Sequence, residues 1–360
     1  MTYWKPAQIL PPQTLSEWTA EFDVYKSFPE FAQRKNMSLD EFKSIYYWEW
    51  GHRILGRIVG VWYGGGLAVL AATGRIPKGY GPRLAGLLAL GGAQGAVGWW
   101  MVSSGLGNDR VGDKKEIRVS PYRLASHLSV AFVTYSGLVW TGLELLYPET
   151  ERAKAAEALR SRTKDAPQLL KKLGRFRAVG IAATALTAVT VTSGAFVAGN
   201  DAGNAYNDWP YMNGELVPWN DMIDDSIDGP IWRNIFETTA MVQFDHRILA
   251  YATASTVAAA AFYGANVRAS LAAADLGALL APQATRALHA MSGLAVAQVT
   301  LGITTLVLYV PIHLAAVHQI GSLALLTSGI FLTHSLRYVG IAGKGAGAGK
   351  VGKALKGAVR

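Results

Sequence analysis

Seven stretches of at least 20 residues are almost free of charge: 54–73, 84–106, 124–147, 178–200, 248–267, 287–312 and 314–336. Only Arg57, Glu144 and histidines interrupt them. A helix needs about 20 apolar residues to cross the hydrocarbon core of a bilayer, so each run is long enough to span. Buried helices of a soluble protein are the alternative, but seven of this length in one chain argue against it. The charged fraction points the same way: 16%, against about 25% in soluble domains. The expected class is an all-α integral membrane protein with seven transmembrane helices. Cysteine is absent, which excludes disulfides, thiolate metal sites, Fe–S clusters and covalently attached haem.

The placement of charge orients the spans. Lys and Arg in short loops near helix ends mark the inner side. Segments 74–83, 148–177, 268–286 and the tail after Leu336 hold 20 Lys and Arg against 5 Asp and Glu. The alternating segments 1–50, 107–121 and 200–245 hold 10 and 19. The first set is read as inside and the acidic set as outside. The basic runs sit where this rule puts them, so no nucleic-acid partner is inferred; the partner is the lipid bilayer. No cleavable signal peptide is evident at the N-terminus.

The chain also repeats itself. His52-Arg53-Ile54-Leu55 recurs as His246-Arg247-Ile248-Leu249, each opening an apolar run from the outer side. The next run in each half carries Gln-x-x-x-Gly, at Gln94/Gly98 and Gln298/Gly302. The run after that has a histidine near its outer start, His127 or His318. Duplicated helical bundles are a common construction in membrane proteins. Five segments are expected: an outer segment 1–50, a half-bundle 51–147, a solvated basic helical linker 148–177, a half-bundle 178–338 and a basic disordered tail 339–360. The run at 178–200 has no counterpart in the first half, since residues 1–50 are too polar to span.

Four histidines matched two by two suggest a metal held between helices. Two facing helices that each present one imidazole suit haem iron, whose axial ligands lie on opposite sides of a flat ring. Zinc favours three or four ligands drawn closer together, and a proton relay favours a chain of acids and histidines. A lone histidine in a span is more often a packed, hydrogen-bonded residue; the matched pairs reverse those odds. His289, His313 and His334 lack matching histidines and are read as interfacial or structural. Arg53 and Arg247, next to proposed ligands, could pair with haem propionates or extend to the interface. Arg57 could do either. Glu49 lies one helical turn before His52, whereas Gln243 holds that place before His246. A carboxylate near one ring could move protons or stabilise a cationic intermediate; an interfacial Glu facing water is the alternative.

These residues resemble the haem A synthase family over nearly the whole chain. The likeness covers Phe28-Pro29-Glu30-Phe31, Met37 to Lys43, Glu49-Trp50-Gly51-His52-Arg53, Tyr122 to His127, Gly194 to Gly199, Gln243 to Arg247 and His318 to Ser322. The long acidic outer segment and the lack of loop cysteines resemble the mitochondrial and alphaproteobacterial branch. The resemblance implies tandem four-helix bundles, 4+4 in the family. It implies haem b as cofactor on His246 and His318, with Arg247 nearby. It implies haem o as substrate on His52 and His127, with Arg53 nearby, and Glu49 as the catalytic residue. A ring methyl of haem o would be oxidised to a formyl group, giving haem A for cytochrome c oxidase. Also implied are delivery by a haem O synthase, an electron donor that the sequence does not identify, and the mitochondrial inner membrane or its bacterial equivalent. A homo-oligomer is left open. The family's first helix is expected upstream of Met1, because Trp4 to Pro12 resembles the stretch that follows it. A di-haem b-type electron-transfer cytochrome is the alternative, but it gives no reason for Glu49 to face Gln243 across the repeat. A transporter or assembly scaffold using intramembrane histidines is the third reading.

Overall fold

The computed structural model describes residues 9–33, 36–105 and 118–343. Among these the regular structure is helical, with no strand beyond one isolated bridge, Met212 to Glu215. Twelve α-helices follow in order: α1 (Leu15–Lys26), α2 (Leu39–Ala72), α3 (Gly81–Ser103), α4 (Pro121–Leu146), α5 (Glu149–Arg162), α6 (Pro167–Gly199), α7 (Ala202–Ala205), α8 (Asn234–Glu237), α9 (Thr239–Ala273), α10 (Pro282–Val307), α11 (Ile312–Ser335) and α12 (Arg337–Gly343). Seven segments built on α2, α3, α4, α6, α9, α10 and α11 are long and apolar enough to cross a bilayer, as their uncharged runs require. The chain is a multi-pass membrane protein.

Local chemistry sets the helix starts. The hydroxyl of Ser38 accepts from the N–H of Glu41, whose carboxylate accepts from the N–H of Ser38. This reciprocal cap begins α2 at Leu39, so the first span extends well before the uncharged run at 54. Thr14 and Glu17 cap α1 in the same way, and the N–H groups of Gln13 and Thr14 hold the Glu17 carboxyl below its usual range. Proline stands in the first turn of α3, α4, α6 and α10, where its missing N–H costs nothing.

The described chain divides into two compact units, one ending at Thr134 and the other beginning at Tyr135. In the first, α1 rests on the start of α2 through an aromatic cluster of Trp18, Phe22, Tyr25, Phe42 and Tyr46. The Trp50 indole donates to the Ile9 carbonyl. Arg123 at the start of α4 donates to Trp100 O and Ser103 Oγ at the end of α3. No residue in the apolar window of α2 is buried.

The second unit has the larger core, centred on Leu173, Phe176, Leu271, Met291, Leu332 and Leu336. Lipid tails are as apolar as leucine, so close packing and interhelical hydrogen bonds hold such helices together. Thr184 bonds Thr333 at 3.1 Å, and Thr190 bonds Thr253 at 2.8 Å. A Cβ on Gly264 would press on the Leu288 and Phe176 side chains. Two boundaries differ from expectation. The segment 148–177 is not a simple solvated linker, because α5 buries Ala156 and Leu159 in the core and α6 already begins at Pro167. Residues 339–343 are not disordered, because α12 buries Val339 and Ala342. The rest of the expected tail, 344–360, and most of the segment 107–121 expected to lie outside are beyond the described residues.

One ion pair stands at the end of the spans. Arg337 donates to Glu144 at 2.6 Å, with Glu144 only 8% exposed. The guanidinium also covers the Trp140 ring at 5.1 Å. Removing one member of a desolvated pair strands the other. Glu144→Gln is expected to lower stability by about 3 kcal/mol, read as an earlier unfolding midpoint in detergent; an unchanged midpoint contradicts this.

Candidate functional site

The structure brings His52 of α2 and His127 of α4 together. Their ring centroids lie 6.4 Å apart with planes at 82°. An imidazole nitrogen sits roughly 2 Å from a bound transition metal and roughly 1 Å from its own ring centre, so trans imidazoles place their centroids about 6 Å apart. The spacing therefore fits one metal atom between the rings. Among the described residues no group of three or more His, Asp and Glu could hold a metal ion, so a two-histidine site asks for the remaining ligands from a ring such as a porphyrin. His127 is positioned from α3. The Gln94 amide donates to the His127 carbonyl at 2.9 Å, and a Cβ on Gly98 would stand 2.9 Å from His127 Cε1.

The second unit repeats the glutamine and glycine contacts to its histidine. The Gln298 amide donates to the His318 carbonyl at 2.9 Å, and a Cβ on Gly302 would stand 3.1 Å from His318 Cε1. His246 and His318 are close enough for their charges to interact. Gly194 of α6 adds a third such cradle, with a Cβ position 3.3 Å from His246 Cε1. The Nδ1 atoms of His127 and His318 are buried without a hydrogen-bond partner.

Ser193 was not foreseen from the sequence. Its hydroxyl donates to the Thr190 carbonyl at 2.8 Å and lies 2.7 Å from His246 Nδ1. With its hydrogen on Thr190, the hydroxyl is placed to accept from Nδ1–H, the tautomer that would leave the Nε2 lone pair for a metal. Ser193 stands directly before Gly194 in the sequence, but only the packing of α6 on α9 brings it to the imidazole.

The residues flanking the histidines differ between the halves. Glu49 and Arg53 pair along α2, on either side of His52 in sequence. Neither is fully buried, with 20% and 23% of their side chains exposed. The matching Gln243 and Arg247 both reach the Tyr206 carbonyl. Arg247 also donates to Asp208 O at 2.8 Å and Tyr211 O at 2.9 Å. It thus ties the loop 206–211 to α9. Tyr206 in turn donates to Asp221 at 2.9 Å, and its burial, with that carboxylate, pushes the phenol up to about 12. His289 and His313 are exposed. His334 is 3% exposed and packs edge-on to Trp140 at 5.2 Å, away from both pairs in sequence and in surroundings.

Outer hydrogen bonds to a ligating imidazole are worth about 10- to 100-fold in affinity. Ser193→Ala is expected to weaken haem retention about tenfold in a chain purified by affinity tag, read from the Soret band during dilution or competition. Equal retention would show that the hydroxyl does not set the ring.

A profile of the family described as COX15-CtaA, cytochrome oxidase assembly protein, matches residues 1–330. A relative from Paracoccus denitrificans, named haem A synthase, is 41% identical over 94% of this chain and 80% of its own length. Haem A synthase COX15 of Arabidopsis thaliana is 38% identical over 94% of this chain and 68% of its own. A haem A synthase–mitochondrial ferredoxin fusion protein of Schizosaccharomyces pombe is 38% identical over 93% of this chain, which spans 55% of that relative. No solved structure matches the chain. With the match running over residues 1–330 and through both histidine pairs, the chain belongs to the COX15-CtaA family of cytochrome oxidase assembly proteins.

Proposed function

We propose that the chain is a haem A synthase whose two histidine pairs divide the work: His52 and His127 receive haem o, and His246 and His318 keep a haem b. The activity follows from the family and from relatives of that name at about 40% identity. It is the oxidation of haem o to haem A, an oxidoreductase reaction serving cytochrome oxidase assembly. The same relatives set aside a cytochrome that only passes electrons. The division between the pairs is supported by one observation: the ionisable Glu49 accompanies the first pair, and Gln243 replaces it at the second.

The roles follow from placement. His52 and His127 hold and orient the substrate ring between α2 and α4. Glu49, one turn from His52, can hold or pass a proton at a carboxylate oxygen near the reacting edge. Arg53 orients that carboxylate through their ion pair, which leaves it less free to pair with a propionate than the sequence implied. At the second pair Ser193 fixes His246, Gly194 and Gly302 admit the rings, and Arg247 keeps the outer loop in place. The bound haem b would supply one-electron redox chemistry there. The fission-yeast relative joins a haem A synthase to a mitochondrial ferredoxin, which supports a ferredoxin as electron donor here. Loop charge supports both sites lying toward the acidic, outer side, in the mitochondrial inner membrane or its bacterial equivalent. Substrate from a haem O synthase is consistent with that chemistry.

Glu49→Gln should retain bound haem yet lose haem A production, assayed by chromatography of extracted haems from cells supplied with haem o; normal production refutes its catalytic role. His246→Ala or His318→Ala should strip haem b, and unchanged haem content contradicts that assignment. The absence of cysteine allows a direct test of sidedness. A single cysteine at Asp225 should react with an impermeant maleimide from the outer side, and one at Lys164 only after permeabilisation. The reverse pattern would invert the topology.

A further inference from the structure

Away from both histidine pairs, a groove of about 560 Å³ lies between α4, α10 and α11. Its walls are apolar, with Ala290, Leu323, Ala324 and Phe331 among them, and a Tyr135–Thr327 hydrogen bond of 2.8 Å crosses its lining. Its single charged lining residue is Arg286, in the second turn of α10. Arg286 is exposed and makes no hydrogen bond or ion pair among the described residues.

The dimensions identify the occupant. The groove follows α11 from Ile320 to Phe331, a rise of roughly 16 Å at about 1.5 Å per residue. One leaflet of the hydrocarbon core is about 15 Å deep, half of about 30 Å. Helices α10 and α11 are joined by the short segment 308–311 and run in opposite directions, so the start of α10 stands beside the end of α11. Arg286 therefore sits at the Phe331 end of the groove, on the Lys- and Arg-rich side. An apolar channel one leaflet deep with a cation at its mouth matches one molecule: a phospholipid with its chain in the groove and its phosphate at the guanidinium.

We infer that this groove is a binding site for an anionic phospholipid of the inner leaflet, with Arg286 as its headgroup anchor. The inference is separate from the haem assignments and rests on the sidedness read from loop charge. A phosphatidylcholine presents the same phosphate with a neighbouring cation, so Arg286 should favour phosphatidylglycerol. An arginine that merely reaches the interface shows no such preference.

The test uses the full chain in detergent, titrated with phosphatidylglycerol or phosphatidylcholine, with bound lipids counted by native mass spectrometry. The wild-type chain should retain phosphatidylglycerol in preference to phosphatidylcholine. Arg286→Gln should lower phosphatidylglycerol retention about fivefold, the effect of one cation on an anionic lipid. Ala324→Trp, which fills the groove, should lower retention of both lipids and leave the Soret band in place. Equal retention of the two lipids by the wild-type chain overturns the proposal, as does undiminished phosphatidylglycerol in both variants. Should Arg286→Gln not yield folded protein, the wild-type comparison and Ala324→Trp decide the matter.

Discussion

How closely neighbouring helices approach at the histidines governs much else in this structure. Three of the four proposed ligands press a ring edge against a glycine of the adjacent helix, Gly98, Gly194 or Gly302, where a methyl group would crowd the imidazole. Lipid gives helices no hydrophobic reason to associate, so short separations must come from small residues and polar bonds. Gln94 and Gln298 provide those bonds, each donating to the carbonyl of the histidine it positions. The same two elements, glycine and glutamine one turn apart, thus set both the depth and the height of His127 and His318. If these histidines hold a haem as proposed, this pair of contacts would position them without charge in the membrane.

On this shared frame the halves have diverged where the surroundings of the ring matter. In the first, Glu49 and Arg53 form an ion pair on the helix that carries His52. In the second, Gln243 and Arg247 turn to the backbone of residues 206–211 and anchor that loop. One half keeps an ionisable carboxylate near its ligand, while the other uses the equivalent positions for structure. Under the proposed division, such reassignment would let one scaffold serve both a reacting ring and a resident one.

Much of this was legible in the sequence, for physical reasons. Hydropathy marks the middle of each span because charge is costly in hydrocarbon, and the matched His-Arg and Gln-x-x-x-Gly elements disclosed the repeat. The ends were less legible. Helix α2 starts at Leu39 because Ser38 and Glu41 cap it, and a polar helical extension leaves no hydropathy signal. Residues 339–343 looked like a Gly- and Ala-rich tail, yet small side chains also suit close packing against neighbouring helices. Gly98 and Gly302 were visible as a pattern without a purpose; their purpose is distance, which a linear pattern does not carry. Ser193 gave no sign at all, since its role arises from the packing of α6 on α9.

The hydroxyl of Ser193 also bears on how long each ring stays. His246 is steadied through Nδ1, whereas among the described residues no hydrogen bond restrains the exposed ring of His52. A tethered imidazole returns to the same place after each thermal excursion, whereas an untethered one can swing aside. A cofactor must outlast many turnovers, and a product must depart after one. On the proposed assignment, the contrast between these two imidazoles would be one of residence time: long lodging in one half and brief tenancy in the other.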